Sequence, residues 1–264
     1  MNGISDIFCT INDIKLSIDN NPGTSDTYFI FIHGLQSRKE IFSYIIKKLN
    51  EQYSIPYITY DLVGFGNSEK KNSFSYDLVD QVKIIEKLID YLRIKKVIIV
   101  GHSFGGMIGT QLLENRNLDI SAFINIEGNL SLDDCGESIN VARMNFLDFL
   151  PYYSSLKSRL LNSNTFAENF RGEALDMIPP EAFFKTSQSI VNWSRNNKLN
   201  KIFENSTIPR LLIRGDKSNY KSNPQNTTIS HASIEGGTHF MILEKPSQTY
   251  DAIFDYLFEK KLLG

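Results

Sequence analysis

The chain has little of what would mark a secreted, metal-held or membrane-spanning protein. Only two of its 264 residues are cysteine, Cys9 and Cys135. They stand far apart and outside any C-x-x-C spacing, so neither a disulfide framework nor a zinc site is indicated, and a reducing compartment suits them. No stretch reaches about 18 consecutive apolar residues, which excludes a spanning helix. The opening residues Met1 to Thr10 lack a basic segment followed by an apolar one, so no secretory leader is expected. With 28 Lys and Arg against 30 Asp and Glu, the formal net charge of −2 makes no electrostatic case for nucleic acid or an anionic membrane surface. Dinucleotide fingerprint, P-loop and metal-ligand cluster are all missing, so no cofactor is expected. These absences point to a soluble cytoplasmic protein.

What is present is ordinary in bulk and specific in pattern. A hydrophobic fraction of 41% and a charged fraction of 22% suit a globular domain, and the length suits one large core with an insertion. Ile7–Ile11 and Ile14–Ile18 flank Asn12-Asp13 and read as a hairpin at a sheet edge. Apolar strands are predicted at Tyr28–Ile32, Ile55–Tyr60, Val97–Val100, Ala122–Ile126, Pro209–Arg214 and Ile229–Ile234. Helical spacing is predicted from Ser37, as cap, through Leu49, and over Tyr76–Leu92, Met107–Leu113 and Pro246–Lys260. Strand alternating with helix implies right-handed crossovers and an α/β fold with a doubly wound, mostly parallel sheet. Between 131 and 207 the strand rhythm stops, in a stretch too long for a plain loop. It reads as an inserted helical cap, with helices near Ser138–Leu150, Tyr152–Leu161 and Pro180–Asn196, leaving 1–130 and 208–264 as the core.

The chemistry gathers at Gly101-His102-Ser103-Phe104-Gly105, a G-x-S-x-G sequence closing one buried strand and opening a helix. There the glycines permit a sharp turn that pushes the serine out of the sheet, with a helix N-terminus behind it to favour negative charge. Serine is a weak nucleophile at its free pKa and needs a base, itself oriented by an acid. Of four histidines, His102 lies in the turn, His33 ends a strand, and His231 falls within one. His239, in the loop between the last strand and the last helix, is the candidate base. Two carboxylates compete as the acid. Glu127 ends an apolar strand one step along the sheet from the serine, where a charged group wants a partner. Asp216 follows Gly215 directly and reads equally well as a turn residue. Geometry favours Glu127. The aromatics Phe146, Phe149, Tyr152, Tyr153, Phe166, Phe183, Phe184 and Trp193 read mainly as packing within the insertion.

Four motifs in order, His33-Gly34, D-L-V-G-F-G-N-S from Asp61 to Ser68, G-H-S-F-G-G from Gly101, and G-T-H-F with E-K-P behind it, resemble the capped α/β-hydrolases over nearly the full chain apart from the cap. The resemblance implies Ser103 as nucleophile, His239 as general base, and backbone N–H groups of Leu35 and Phe104 as an oxyanion hole. It implies a structural Asp61 shaping its loop with Ser68. The chain departs from the family at the usual acid position, three residues after Gly215, which holds Ser218. An acid at the strand end occupied by Glu127 occurs in pancreatic-type lipases and some haloalkane dehalogenases. The resemblance implies hydrolysis of a small or medium carboxylic ester or thioester through an acyl-enzyme. Carbon–carbon hydrolysis, elimination or cofactor-free peroxidation on the same triad is an alternative, and so is a ligand receptor without catalysis.

Overall fold

The computed structural model describes residues 7–23, 25–53 and 55–263. Of the N-terminal stretch read for a leader, residues 1–6 lie outside the described residues. Strands β1 (Ile7–Ile11) and β2 (Ile14–Asn21) pair antiparallel across Asn12-Asp13, both at positive φ. Two left-handed residues make the turn whose twist matches a tight hairpin. β3 (Thr27–Ile32), α1 (Ser43–Gln52), β4 (Tyr57–Tyr60), α2 (Leu78–Tyr91), β5 (Lys96–His102), α3 (Phe104–Leu112) and β6 (Asp119–Ile126) then alternate. Helices α4 (Glu137–Arg143), α5 (Phe146–Leu161), α6 (Phe166–Asp176), α7 (Pro180–Ser194) and α8 (Lys198–Asn205) follow without a strand among them. β7 (Arg210–Gly215), β8 (Ile229–Ile234), α9 (Met241–Glu244) and α10 (Pro246–Glu259) close the chain.

The eight strands form one sheet in the order β1-β2-β4-β3-β5-β6-β7-β8. β2 runs antiparallel to β1 and β4, and every other pair is parallel. Successive side chains of a strand face opposite layers, so a strand covered on both sides must be apolar throughout. In β5, Val97 and Ile99 join the core layer that includes α2 and α3, while Ile98 and Val100 join the layer of α1 and α10. All four are fully buried. After β3 the chain crosses to β4 on one side, then returns to β5 on the other. The loops leaving β3 and β5 therefore diverge at their carboxyl ends, and a crevice opens between them.

Several local expectations differ from the structure. Ser37 caps nothing: Lys39–Phe42 is a 3₁₀ turn entered from Arg38, and α1 starts at Ser43. A backbone N–H of that turn, on Lys39, instead donates to the Asp61 carboxylate at 2.8 Å. The break expected before Tyr152 is also absent, because α5 runs straight through Pro151. Phe149, Tyr153, Leu156 and Leu160 form one buried stripe on both sides of the proline, and burying it outweighs one lost backbone bond. Helices α6, α8 and α9 have no sequence-based expectation: α6 carries weak apolar periodicity, and α8 and α9 are short. Among the described residues, no helix is long and apolar enough to cross a membrane.

Candidate active site

Ser103 sits at the crevice between β3 and β5, in a strained backbone conformation with φ 55° and ψ −120°. Its N–H donates to the Ile126 carbonyl at 3.0 Å, and its own carbonyl accepts from Gly106 N–H at 2.8 Å, so the turn is tied to β6 and to α3. A methyl group on Gly105 would come within 2.0 Å of the Ile32 carbonyl oxygen, which no side chain could survive. The loop after β3 approaches from the other side. A Cβ on Gly34 would lie 3.2 Å from Ser103 Oγ and 2.6 Å from its Cβ, so the His33-Gly34-Leu35 segment abuts the serine. Among the described residues, the N–H groups of Leu35 and Phe104 make no hydrogen bond. The second heads a helix, where the first N–H groups have no internal partner.

Glu127 follows the last residue of β6, fully buried and at φ 45°, an uncommon backbone for a non-glycine residue. Its carboxylate accepts three hydrogen bonds: Oε1 from Gly215 N–H at 2.8 Å, and Oε2 from Ser218 Oγ at 2.7 Å and from His239 Nδ1 at 2.8 Å. A buried carboxylate is tolerable only with such donors, and charge-assisted bonds are the strong ones. The contact also assigns the proton to His239 Nδ1, leaving Nε2 with a free lone pair to accept a proton. Asp216 lies elsewhere, exposed, with Oδ1 accepting Gly236 N–H at 2.7 Å. No hydrogen bond joins Ser103 Oγ to His239 among the described residues. Catalytic bonds are often long in an unliganded enzyme and tighten on substrate binding.

The other two strand-end histidines hold backbone. His102 Nε2 donates to the His239 carbonyl at 2.8 Å, fixing the loop that carries the imidazole. Burial, with His239 nearby, pushes the His102 pKa down to about 3, so it stays neutral. His33 Nε2 accepts the Leu62 N–H at 3.0 Å and Nδ1 donates to Gly34 O at 2.9 Å. Burial lowers its pKa against the pull of Asp61. Asp61 itself accepts from Asn67 N–H and Lys39, and Ser68 Oγ donates to its carbonyl at 2.6 Å. It holds its loop.

Phe149 and Phe183 are fully buried against each other and against Tyr153, while Phe146 and Phe166 are exposed. A groove of about 530 Å³ bordered by Gly66, Lys70, Tyr153, Lys157 and Pro180 includes none of Ser103, Glu127 and His239. The Glu127–His239 contact is not part of that groove's lining. Among the described residues no three His, Cys, Asp or Glu side chains are grouped to hold a metal ion. Sequence reasoning missed the partners of these groups, Ser218 as a donor to Glu127 and His102 as a clamp on His239, because each contact joins residues about a hundred positions apart.

Residues 27–173 match the family model described as the alpha/beta hydrolase fold. A hydrolase of Bacillus subtilis, YugF, is 35% identical over 88 residues, covering 33% of this chain and 31% of that one. The sn-1-specific diacylglycerol lipase ABHD11 of Danio rerio is 28% identical over 155 residues, 58% of this chain and 46% of that one. The first of these matches thus spans about a third of the relative's length and the second under half. In three dimensions the chain superposes on a carboxylesterase structure from Nitrososphaera gargenis with TM-score 0.81 at 18% identity, covering 97% of this chain and all of that one. An esterase from Exiguobacterium antarcticum gives 0.76 at 18%, with 96% and 99% covered. Likeness at such low identity speaks to the fold alone, whereas the family model spans more than half of the sequence. With the sheet order and the serine turn described above, the chain belongs to the alpha/beta hydrolase fold family.

Proposed function

We propose that the protein is a serine hydrolase that cleaves a small or medium carboxylic ester or thioester through Ser103, His239 and Glu127. The observation that carries this reading is the 2.8 Å contact between His239 Nδ1 and a fully buried Glu127, on loops that rise beside Ser103. The diacylglycerol lipase among the relatives and the carboxylesterase and esterase among the structural neighbours support the ester substrate class. Ser103 Oγ adds to the carbonyl carbon as His239 Nε2 takes its proton, and Glu127 stabilises the imidazolium so formed. The tetrahedral oxyanion is met by the unspent N–H groups of Leu35 and Phe104. His239 returns the proton to the departing alkoxide or thiolate, leaving an acyl-serine. Water, deprotonated by the same imidazole, then releases the acid. The helical segment 131–207 acts as the cap that governs access.

A fluorophosphonate probe together with p-nitrophenyl esters of increasing chain length tests this. Labelling confined to Ser103, with ester turnover that disappears in Ser103→Ala, is the expected result. A folded protein that neither reacts with the probe nor turns over any ester would instead be a scaffold on this fold.

A further inference from the structure

Gln36 follows Leu35 directly, in the left-handed region at φ 56° with only 6% of its surface exposed. That backbone is costly for a non-glycine residue unless its surroundings hold it there. The helices between β6 and β7 supply the hold. Arg171 of α6 donates to Gln36 Oε1 through Nε at 2.9 Å and through a second guanidinium nitrogen. The other end of the amide, Nε2, donates to Glu137 of α4, and Tyr152 of α5 donates its hydroxyl to the second Glu137 oxygen. Arg171 also lies over the Phe240 ring, 4.3 Å from its centroid, and that ring is 5.3 Å from the His239 ring.

Among the described residues no carboxylate lies within ion-pair distance of Arg171. The amide stands between the two opposite charges, its oxygen toward the cation and its nitrogen toward the anion. A side-chain amide accepts from the guanidinium through its oxygen while donating to the carboxylate through its nitrogen. Two helices thus meet on this side chain, with a third bracing Glu137, beside the Leu35 N–H of the segment that abuts the serine.

We propose that Gln36 is a positioning residue, a clasp by which the inserted helices fix the Leu35 N–H at the place where negative charge develops. This rests on the reading of Ser103 and Leu35 given above. It makes the insertion part of the rate-setting machinery, in addition to any control of access. Errors of about 1 Å at such a donor cost on the order of 100-fold in rate.

The test compares the full chain with Gln36→Ala, Gln36→Glu and the double variant Gln36→Glu/Glu137→Gln. Readouts are kcat and KM on p-nitrophenyl acetate, melting temperature, and amide hydrogen exchange of the segment 33–38. Gln36→Glu sets two carboxylates together and should lower kcat by roughly 30- to 100-fold, with KM within about threefold of the starting protein. The double variant keeps every donor and acceptor with the charge moved across the clasp, and should recover most of the lost kcat. Gln36→Ala should speed exchange in 33–38. Unchanged kcat in Gln36→Glu, a change in KM alone, or a double variant that melts normally yet stays slow would each overturn the proposal. If the unaltered protein turns over no ester, the reading of the site fails separately. Exchange in Gln36→Ala then decides the clasp by itself: faster exchange sustains it and an unchanged rate ends it.

Discussion

At the scale of single residues, the site depends on how Glu127 is satisfied. A carboxylate buried alone is costly, and this one has three donors, two of them from side chains that arrive from β7 and β8. Glu127→Gln keeps the shape and removes the charge that stabilises an imidazolium, so kcat should fall on the order of 10³- to 10⁴-fold. Asp216→Asn, whose carboxylate accepts a backbone N–H remote from the imidazole, should leave kcat within about threefold. Side-by-side esterase kinetics of the two purified variants decide the matter, and equal losses would remove Glu127 from its special place. Ser218→Ala deletes one charge-assisted donor, about 1.5 kcal/mol, and should slow turnover roughly tenfold with little change in KM. Glu127 was legible because a charge ending the run Ala122–Ile126 has few reasons to be there. Ser218, Gln36 and Arg171 were not. Their partners lie 91 and 135 positions away, and no local pattern marks a side chain whose meaning is supplied by distant chain.

At the scale of elements, β-branched runs and glycine turns told the truth because both are local. β3, β5, β6 and β7 are buried on both faces over most of their length, and a strand with no wet side must be written largely in Val, Ile, Leu and Phe. The inserted helices obey a weaker rule, since each spreads its apolar contacts over neighbours that are themselves helices. That is why α6 escaped notice and why proline misled, whereas α8 escaped because it is only eight residues long. Pro151 sits six residues into α5, where a proline removes one intrahelical bond and crowds the preceding turn. The buried stripe from Phe149 to Leu160 holds the helix together regardless. Replacing Pro151 by Ala should therefore stabilise the protein by about 1–3 kcal/mol, read as a melting temperature raised by several degrees. A lower melting temperature would show that the ring packs against something the helix needs.

For the whole molecule, the reversal of strand order between β3 and β5 does more than open a crevice. A fully buried histidine ends one of the two strands that border it and directly follows the other, and each histidine holds a loop at the sheet's carboxyl edge. His33 fixes the turn at Leu62, and His102 fixes the carbonyl of His239. Both imidazoles are pushed below their ordinary range by burial, His102 to about 3. Above the ordinary histidine value near 6.5 neither the folded nor the unfolded chain carries the proton, and stability is whole. As pH falls below it, the unfolded chain binds protons that the folded chain refuses, so stability drains away toward the folded value. For His102 the slope is roughly 1 kcal/mol per pH unit, and His33 adds in the same direction. Denaturant midpoints measured from pH 7 down to pH 5, above the range where most carboxylates titrate, should decline steadily. His102→Gln keeps a nitrogen donor for the His239 carbonyl but cannot titrate, so its decline should be visibly shallower. A wild-type midpoint that is flat across this window, or a variant that falls as steeply, would mean that the buried rings are not what makes the sheet edge sensitive to acid.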